Sequence, residues 1–513
     1  MLFYLFNPSV FFYKYWELAL RLRRVLPAPI EVFYSSPLYI CFMAFSQGMG
    51  LNYLNVQILQ VFLGAANCWL IYRAGRLFFS QSVGIIASLM AVFYGPFLIY
   101  NSSFLPAVWV ITFNLIFLIS LGKYIREKRP GWLIVAGLFI GLSIITRPNI
   151  AIFLFLLIPW LLVNCGTPTS SMSGDPSEAT TSNFRHLRHF RHFFQTHFRH
   201  FFSLLLPALM VILPIAGFNY LRSGEFIPVT ASGGWVFYCS NNERVKGFDF
   251  SPPPELNDRI RSYYAKSVNE GLSYLEHLLS REIAQERVGE RLSHQGGSRY
   301  WFNEGVTFIR EYPGAYLKLL GKKIVASLNG YEPHDVPELI ERAALLKPYP
   351  LIGFAALLPL ALLGFIIARP RPGGMILYLY LMSYLISFLL MYVIPRFRLP
   401  MVPVLLLFAA AAVKKLYNNI HSKQWKDLIR NIIFLIPMAI LVNISTPDIK
   451  RDRKITRPAF LHEWKGLTCM KRGEWEKAGE EFTEALKLNP RSYQARRGLE
   501  LLSARGKEVP IVP

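Results

Sequence analysis

The sequence is poor in charged residues, and acidic residues are the scarcer kind. Only 17% of its 513 residues are charged, and 32 Asp and Glu stand against 55 Lys and Arg, which gives a formal charge of +23. In a soluble chain this excess would indicate a nucleic-acid partner. Here 53% of the residues are hydrophobic, and the basic residues cluster in short loops between apolar runs, where they set orientation against a membrane. We therefore predict a membrane protein without a nucleic-acid partner.

Cysteine is also scarce, and the spacing of the cysteines indicates neither a disulfide framework nor a zinc site. The five are Cys41, Cys68, Cys165, Cys239 and Cys469, with no CxxC pair. Residues 184–200 repeat apolar-Arg-His triplets, whose histidines could ligate a metal if helical, but no acidic or cysteine ligand accompanies them. A basic helix on the anionic cytoplasmic leaflet explains the repeat better. We expect no metal site and no cofactor, with a divalent metal left open.

Long hydrophobic runs dominate the sequence instead. A membrane-spanning helix needs roughly 20 mostly apolar residues, and ten runs approach that length. They cover about 51–72, 82–100, 103–122, 131–146, 149–164, 201–219, 351–368, 375–394, 399–413 and 427–444. The pattern predicts an all-α polytopic membrane protein with about 10–12 transmembrane helices.

Basic loops follow every second run, and this alternation predicts an orientation. The loop after the fifth run begins with a small, polar linker (166–183) and continues into the arginine-rich stretch up to residue 200. With these loops in the cytoplasm, the whole chain obeys the positive-inside rule. We therefore expect a multi-pass protein of the inner (plasma) membrane, with spans in 51–220 and 351–445. Segment 221–350 and the C-terminal tail then lie outside the cytoplasm.

The first 50 residues leave two arrangements open. The apolar stretch from Met1 to Tyr15 is too short to span and lacks the features of a signal peptide. Either residues 1–50 lie outside as loops and juxtamembrane helices, or residues 29–49 form an additional span with Arg21, Arg23 and Arg24 inside.

Three arginines stand on the outer side in this topology, each at the end of an apolar run. Arg147 follows one run, while Arg396 and Arg398 belong to the turn Pro-Arg-Phe-Arg-Leu-Pro between two others. Such side chains can extend to the membrane interface without binding a specific ligand. Three on one face instead favour a site for an anionic lipid headgroup.

The outward segment is predicted to form a small domain of mixed structure over the outer mouth. Residues 226–230 have a strand-like pattern that continues through 233–238, and helical patterns begin beyond residue 256. The segment contains no GxSxG, HExxH or P-loop motif, which argues against a soluble hydrolase.

The tail from Pro458 has the packing residues of a tetratricopeptide repeat. These are Gly466, Gly473, Trp475, Ala478, Phe482, Ala485 and Pro490. Their spacing predicts a helical hairpin with a following helix over 458–507. Because one repeat rarely stands alone, we expect the tail to pack on the outward domain or to bind a protein partner.

Several short stretches follow one another in the order of a known family. They are Ser36-Pro37-Leu38-Tyr39, residues 94–100 and 141–148, Gly233-Gly234 with Asn241-Asn242, Tyr331-Glu332, and residues 396–400. Together they resemble the bacterial GT-C glycosyltransferases, in particular the family-39-like enzymes that use polyprenyl-phosphate sugars.

The resemblance implies a multi-spanning fold that transfers a sugar, with inversion, to a lipid, glycan or protein acceptor on the extracytoplasmic face. It also implies that Arg147, Arg396 and Arg398 bind the donor phosphate. Arginine suits this task because its planar fork binds phosphate oxygens in pairs.

The sequence departs from the family pattern at the acidic residue that is expected to act as the catalytic base. The family's first outward loop usually carries an Asp ahead of a Tyr-rich helix, whereas Glu17 and Glu31 are the only acids in the first 50 residues. Glu17, beside a Tyr-Trp cluster, is the preferred base and Glu31 the second candidate. An ordinary helix carboxylate near Arg21 is the alternative for Glu17. Asn242 and Glu332 are weaker candidates for contacts to the sugar or acceptor.

Two functions remain open after these observations. The first is a membrane glycosyltransferase, and the second is a non-catalytic scaffold whose tail recruits partners of envelope assembly, which the missing Asp favours. A transporter is less favoured, because the apolar runs contain no acidic or histidine relay and the two halves show no evident repeat symmetry.

Overall fold

The computed structural model describes residues 13–503 apart from 25–29, 165–181, 246–249, 257–258, 260–271, 333–345, 347 and 491. The regular secondary structure of this described part is helical, with one isolated backbone bridge between Tyr94 and Ile352. The all-α fold is therefore confirmed. The predicted polar linker lies outside the described residues as far as residue 181.

The helices follow one another in this order. Before the linker lie α1 (Tyr13–Leu22), α2 (Pro37–Gly48), α3 (Tyr53–Phe78), α4 (Gln81–Val92), α5 (Gly95–Asn101), α6 (Ala107–Glu127), α7 (Gly131–Thr146) and α8 (Ala151–Asn164). The middle of the chain forms α9 (Ser182–Ser223), α10 (Gly233–Ser240), α11 (Leu272–Val288), α12 (His294–Glu311) and α13 (Pro313–Leu328). The last part forms α14 (Phe354–Ile367), α15 (Met375–Leu390), α16 (Pro395–Arg398), α17 (Val402–His421), α18 (Trp425–Val442), α19 (Pro447–Arg451), α20 (Arg457–Lys471), α21 (Trp475–Leu488) and α22 (Tyr493–Ser503).

All ten predicted apolar runs coincide with helices, but these helices differ in length. Within the described ranges, four are long and apolar enough to cross a membrane, namely Tyr53–Phe78, Ala107–Glu127, Arg199–Ser223 and Pro395–His421. A fifth candidate is the pair Trp425–Val442 and Pro447–Met470, which is bent by 58° at its break. The other apolar helices, such as α7 and α14, are shorter. The count of 10–12 spans therefore stays a prediction.

The predicted run 82–100 is broken in its middle, between α4 and α5. There the N–H of Gly95 donates to the carbonyl of Ile352 (3.0 Å), and the N–H of Ile352 donates to the carbonyl of Phe93 (2.8 Å). Pro96, in the first turn of α5, has no N–H to continue the preceding helix. The break lets the segment before α14 pair with this point of the chain.

The strand predicted from residue 226 is wrong. Residues 226–230 form bends and irregular chain, and residues 233–238 belong to α10. The buried Asn219 explains the first part, because its Nδ2 donates to the carbonyls of Ile227 (2.9 Å) and Val229 (3.2 Å). Those carbonyls are then bonded without a neighbouring strand. The regular structure of segment 221–350 is helical, not mixed, where the structure describes it.

Close backbone contacts and buried polar groups hold the apolar helices together. A Cβ on Gly75 of α3 would lie 2.5 Å from the Cα of Gly84 in α4, so these two helices touch backbone to backbone, as small residues allow in membranes. The buried Asn114 of α6 donates through Nδ2 to the hydroxyl of Tyr380 on α15 (2.9 Å). Tyr380 donates in turn to the carbonyl of Pro400 (2.7 Å). This chain of bonds fixes the turn that carries α16.

The N-terminal helices α1 and α2 pack on one end of the apolar helices. Tyr39 of α2 donates to Oε1 of Gln60 (2.6 Å), and Nε2 of Gln60 donates to the carbonyl of Ser103 (2.6 Å). Gln47 binds the carbonyl of Trp16 in α1 (2.8 Å). With 12 residues, α2 is about 18 Å long, against a hydrocarbon core of roughly 30 Å. The helix is thus shorter than the hydrocarbon core, and the choice between the two arrangements of the first 50 residues stays a prediction.

The tail forms the predicted helical hairpin with a following helix. Phe482 of α21 is fully buried, and a Cβ on Gly466 of α20 would lie 2.6 Å from its ring. Gly498 of α22 meets the opposite edge of the same ring, and Ala478 and Ala485 are also buried. Phe482 thus packs between two glycines. The assignment of this unit as a tetratricopeptide repeat stays a prediction.

Candidate functional site

Arg147 and Arg396 come together on one aromatic ring. Nη1 of Arg147 donates to the backbone carbonyl of Arg396 (2.8 Å). The guanidinium carbons of Arg147 and Arg396 lie 4.8 Å and 5.5 Å from the centroid of the Phe397 ring. Two arginines that share a ring are positioned by cation–π attraction and packing as well as by charge.

The local chain explains the positions of both side chains. The N–H of Arg147 donates to the carbonyl of Ser143 (2.7 Å) and ends α7, and the extended backbone at Arg147 (φ −149°) leads into Pro148. A residue before proline is kept out of the helical region by steric clash. Arg396 lies in the short helix α16, whose turn the bond from Tyr380 to Pro400 anchors. Both arginines are partly buried.

Lys14 and Tyr15 of α1 join the two arginines. Lys14 interacts electrostatically with Arg396, and Tyr15 with both arginines. Burial on its own raises the pKa of the Tyr15 hydroxyl, but Lys14, the contact with Ser36 (3.4 Å) and the arginines outweigh it and leave the pKa lowered. The pKa is lowered because the neighbouring positive charges favour the ionised form of the hydroxyl. We call Lys14, Arg147 and Arg396 the cationic cluster.

Sequence reasoning missed Lys14 and Tyr15. The available signal was one lysine in the aromatic stretch of residues 11–16, which the prediction treated as surroundings of Glu17.

A carboxylate of segment 221–350 interacts with one member of this cluster. Glu276 of α11 is partly buried and interacts electrostatically with Lys14. Its Oε1 accepts a hydrogen bond from Nε1 of Trp235 (3.0 Å). Burial raises the pKa of the Glu276 carboxyl, which Trp235 and Lys14 oppose. Nothing in the sequence singled out Glu276, because it stands in no motif.

The structure does not bring Arg398 to the other two arginines. Its side chain is 2% exposed, and its Nη1 and Nη2 donate to the carbonyls of Asn329 (2.7 Å) and Tyr331 (2.8 Å). Its guanidinium carbon lies 4.5 Å from the centroid of the Phe354 ring. The predicted phosphate role of Arg398 has no support in this geometry, because both terminal nitrogens already bind the protein's own backbone.

Glu332 belongs to the surroundings of Arg398. It interacts electrostatically with Arg398 and Arg457, and burial raises the pKa of its carboxyl against these two charges. The neighbouring Tyr331 donates its hydroxyl hydrogen to Oδ2 of Asp452 (2.5 Å), which lies between α19 and α20, ahead of the tail. Tyr331 therefore links Arg398 to the segment that leads into the tail, and Glu332 is not placed in the cationic cluster.

The two carboxylates predicted as bases both have basic partners outside the cationic cluster. Glu17 forms an ion pair with Arg21 one turn along α1 (3.0 Å), which is the alternative considered for it from the sequence. Glu31 lies 3.1 Å from Nε2 of His294 on α12, and its side chain is 57% exposed.

Asn242 has a structural role in the described contacts. Its Nδ2 donates to the carbonyls of Tyr238 (2.9 Å) and Ser251 (2.8 Å), and its Oδ1 accepts from the N–H of Arg244 (3.0 Å). These bonds end α10 and turn the chain. The two N–H groups and the oxygen of the amide are therefore already bonded within the protein, which argues against a contact to a sugar or an acceptor.

Part of the chain is similar to a known family. Residues 35–172 match the family described as dolichyl-phosphate-mannose-protein mannosyltransferase. The match includes Ser36 and Arg147 but less than half of the chain, and no curated protein matches the chain in sequence. The family match supports a glycosyltransferase of the GT-C superfamily.

Two solved structures show a distant likeness. One is the archaeal oligosaccharyltransferase AglB from Archaeoglobus fulgidus in complex with an inhibitory peptide and a dolichol-phosphate, with 13% identity and a TM-score of 0.38 over 85% of this chain and 51% of that one. The other is ArnT from Cupriavidus metallidurans bound to undecaprenyl phosphate, with 14% identity and a TM-score of 0.35 over 82% of this chain and 77% of that one. This chain thus spans about half the length of AglB. At these scores neither likeness assigns a residue or a ligand to this chain.

Proposed function

We propose that this protein is an integral-membrane glycosyltransferase. It moves a sugar from a polyprenyl-phosphate donor to a lipid, glycan or protein acceptor on the extracytoplasmic face of the inner membrane. The observation that carries the proposal is the cationic cluster, in which Arg147 and Arg396 share the ring of Phe397 while Lys14 joins them from α1. The family match over residues 35–172 agrees with it.

The cluster suits a phosphate whose charge grows during the reaction. A phosphodiester-linked sugar carries about one negative charge, and the polyprenyl phosphate that leaves carries close to two at neutral pH. Charges held in place beforehand stabilise this increase without reorganising. The bond from Arg147 to the carbonyl of Arg396 provides that rigidity.

The position of the cluster also suits a lipid-linked donor. Arg147 follows α7 directly, and Arg396 stands at the start of the apolar stretch Pro395–His421. Both therefore lie at ends of apolar helices, where headgroups meet the hydrocarbon region. The lipid chain would lie along the apolar helices while its phosphate reaches the arginines.

The test uses the full chain in lipid nanodiscs, with polyprenyl-phosphate binding and transfer from labelled polyprenyl-phosphate sugars as separate readouts. Arg396→Ala should weaken binding by roughly 30-fold or more, as expected for the loss of a charge-assisted, paired contact, and should abolish transfer. Arg310→Ala, an exposed arginine of α12, is the control and should behave as the wild type. Wild-type binding by Arg396→Ala would end the phosphate role.

A non-catalytic scaffold that binds the same lipid is the alternative, and the pairing of Glu17 with Arg21 favours it. In that case the wild-type protein binds polyprenyl phosphate in the same nanodiscs but transfers no sugar, and the tail recruits a protein partner. Sugar transfer by the wild-type chain would favour the enzyme over the scaffold.

A further inference from the structure

The proposed reaction needs a base, and the two carboxylates first predicted for this role are held by basic residues. Glu17 is paired with Arg21, and Glu31 lies against His294. A carboxylate that takes a proton from an acceptor hydroxyl has to lie within hydrogen-bond reach of it, next to the donor phosphate. In the part of the chain that the structure describes, Glu276 is a carboxylate that interacts electrostatically with Lys14 of the cationic cluster.

Two buried tryptophans, Trp235 and Trp301, fix the position of Glu276. Trp235, whose Nε1 donates to Oε1 of Glu276, is 2% exposed and packs against Trp301 with ring centroids 5.0 Å apart. Nε1 of Trp301 donates to the carbonyl of Ser280, one turn further along the helix of Glu276 (3.0 Å). The carboxylate is therefore held by a rigid aromatic support, as positioned catalytic groups require.

The second carboxylate oxygen has the capacity that a base needs. Within the part of the chain that the structure describes, Oε1 accepts the bond from Trp235 and Oε2 accepts no hydrogen bond. An ionised carboxylate that accepts a hydrogen bond through one oxygen can accept a proton on the other oxygen and keep the first bond.

We propose that Glu276 accepts the proton of the acceptor hydroxyl during sugar transfer. This proposal rests on the proposed glycosyltransferase function. In the step, the acceptor oxygen bonds to the anomeric carbon and its proton passes to the Glu276 carboxylate. The bond from the anomeric carbon to the phosphate oxygen breaks, and the electron pair leaves with polyprenyl phosphate, which the cationic cluster holds.

Lys14 links proton acceptance to donor binding. It interacts with Glu276 on one side and stands in the cationic cluster with Arg396 on the other. A donor phosphate bound at the cluster adds negative charge near Lys14 and Glu276, and a nearby negative charge raises the proton affinity of a carboxylate. The base therefore becomes stronger when the donor is in place. Burial within the protein itself already raises the pKa of this carboxyl.

The experiment compares Glu276→Gln with Glu17→Gln and Glu276→Asp in the full chain in nanodiscs. Glu276→Gln should bind polyprenyl phosphate within about 2-fold of the wild type and transfer sugar at least roughly 100-fold more slowly, since general-base catalysis contributes on that order. Glu17→Gln should keep transfer within about 3-fold. Glu276→Asp should keep part of the rate, because the carboxylate remains.

The pH dependence separates a base from a residue that only supports the fold. In the wild type, kcat/KM should fall on the acid side as Glu276 becomes protonated, and this limb should lie above the ordinary glutamate pKa. Glu276→Gln should lose the limb and Glu276→Asp should retain it. Trp235→Phe, which keeps the ring but removes the N–H donor, should shift the limb to higher pH.

The outcomes are distinguishable. If the wild-type chain binds polyprenyl phosphate but transfers no sugar, the proposed function fails and Glu276 has no proton to accept. If the wild type transfers and Glu276→Gln does so at a similar rate with the same acid limb, only the role of Glu276 is overturned. Loss of polyprenyl-phosphate binding by Glu276→Gln, with unfolding at the wild-type temperature, also overturns it.

Discussion

Arg147 and Arg396 stand 249 positions apart in the sequence, yet a single hydrogen bond of 2.8 Å joins the side chain of the first to the backbone of the second. The bond ties the end of α7 to the turn before α17. Both guanidinium groups lie over the Phe397 ring, so a shift of either segment would change the distance between the two charges.

Phe397→Leu should weaken polyprenyl-phosphate binding by roughly 5- to 30-fold, since each arginine loses a cation–π contact. The change leaves both charges and the bond from Arg147 to the Arg396 carbonyl in place. Binding to nanodisc-embedded protein measures the effect. Phe226→Leu, at a side chain that is 61% exposed, is the matched control. Unchanged affinity in Phe397→Leu would show that the ring does not position the arginines.

Arg398→Ala should behave differently from Arg396→Ala. It leaves the carbonyls of Asn329 and Tyr331 without their donors in a buried place, at a cost of about 3 kcal/mol or more. Thermal unfolding in detergent should therefore occur at a clearly lower temperature, while folded protein keeps its affinity for polyprenyl phosphate. A variant with normal thermal stability and lost binding would restore Arg398 to the phosphate site.

Stability should fall in acid because of His277. Burial lowers its pKa to about 3, from the ordinary 6.5, so between these values the unfolded chain binds a proton that the folded protein does not. The free energy of unfolding is then highest above pH 6.5 and drops toward pH 3, by on the order of 3 kcal/mol between pH 7 and pH 4.

His277→Phe tests this dependence by thermal unfolding across pH. The ring of His277 stacks on Tyr34 (4.6 Å between centroids, 5° between planes), and phenylalanine can keep that stack. The variant should lose much of the acid sensitivity. Some should remain, because burial and Arg281 also lower the pKa of His294. An unaltered pH dependence would assign the effect to other groups.

Gly466→Ala should loosen the tail. The added methyl would lie 2.6 Å from the Phe482 ring, and overpacking of this kind costs about 1–3 kcal/mol. Limited proteolysis should then cut within 457–503 faster than in the wild type. Phe482→Leu in the same chain should restore part of the resistance by making room, and Glu480→Ala, at an exposed site, should change nothing. Equal cleavage rates in all four proteins would contradict the packing of Phe482 between glycines.

The sequence predicted features that depend on local composition. Apolar runs predicted where the helices lie, and small residues at 466, 478 and 485 predicted the hairpin around Phe482. Charge counting placed Arg147 and Arg396 on the same side, and the structure brings them together.

The features that the sequence did not predict depend on contacts between segments far apart in the chain. Arg396 and Arg398 are two positions apart on the short helix α16, which turns one toward the cluster and the other toward Asn329. Glu276 and Lys14, which interact electrostatically, stand 262 positions apart, and neither lies in a recognisable motif. The strand pattern at 226–230 was overridden by one buried amide, that of Asn219. No propensity scale carries such information.

The bond between Tyr331 and Asp452 has a consequence for how the tail and the membrane part work together. Arg398 binds the carbonyl of Tyr331, Tyr331 binds Asp452, and Arg398 is two residues from Arg396. The segment that leads into the tail is thus connected to the turn of Arg396 by two hydrogen bonds, so the position of the one depends on the position of the other.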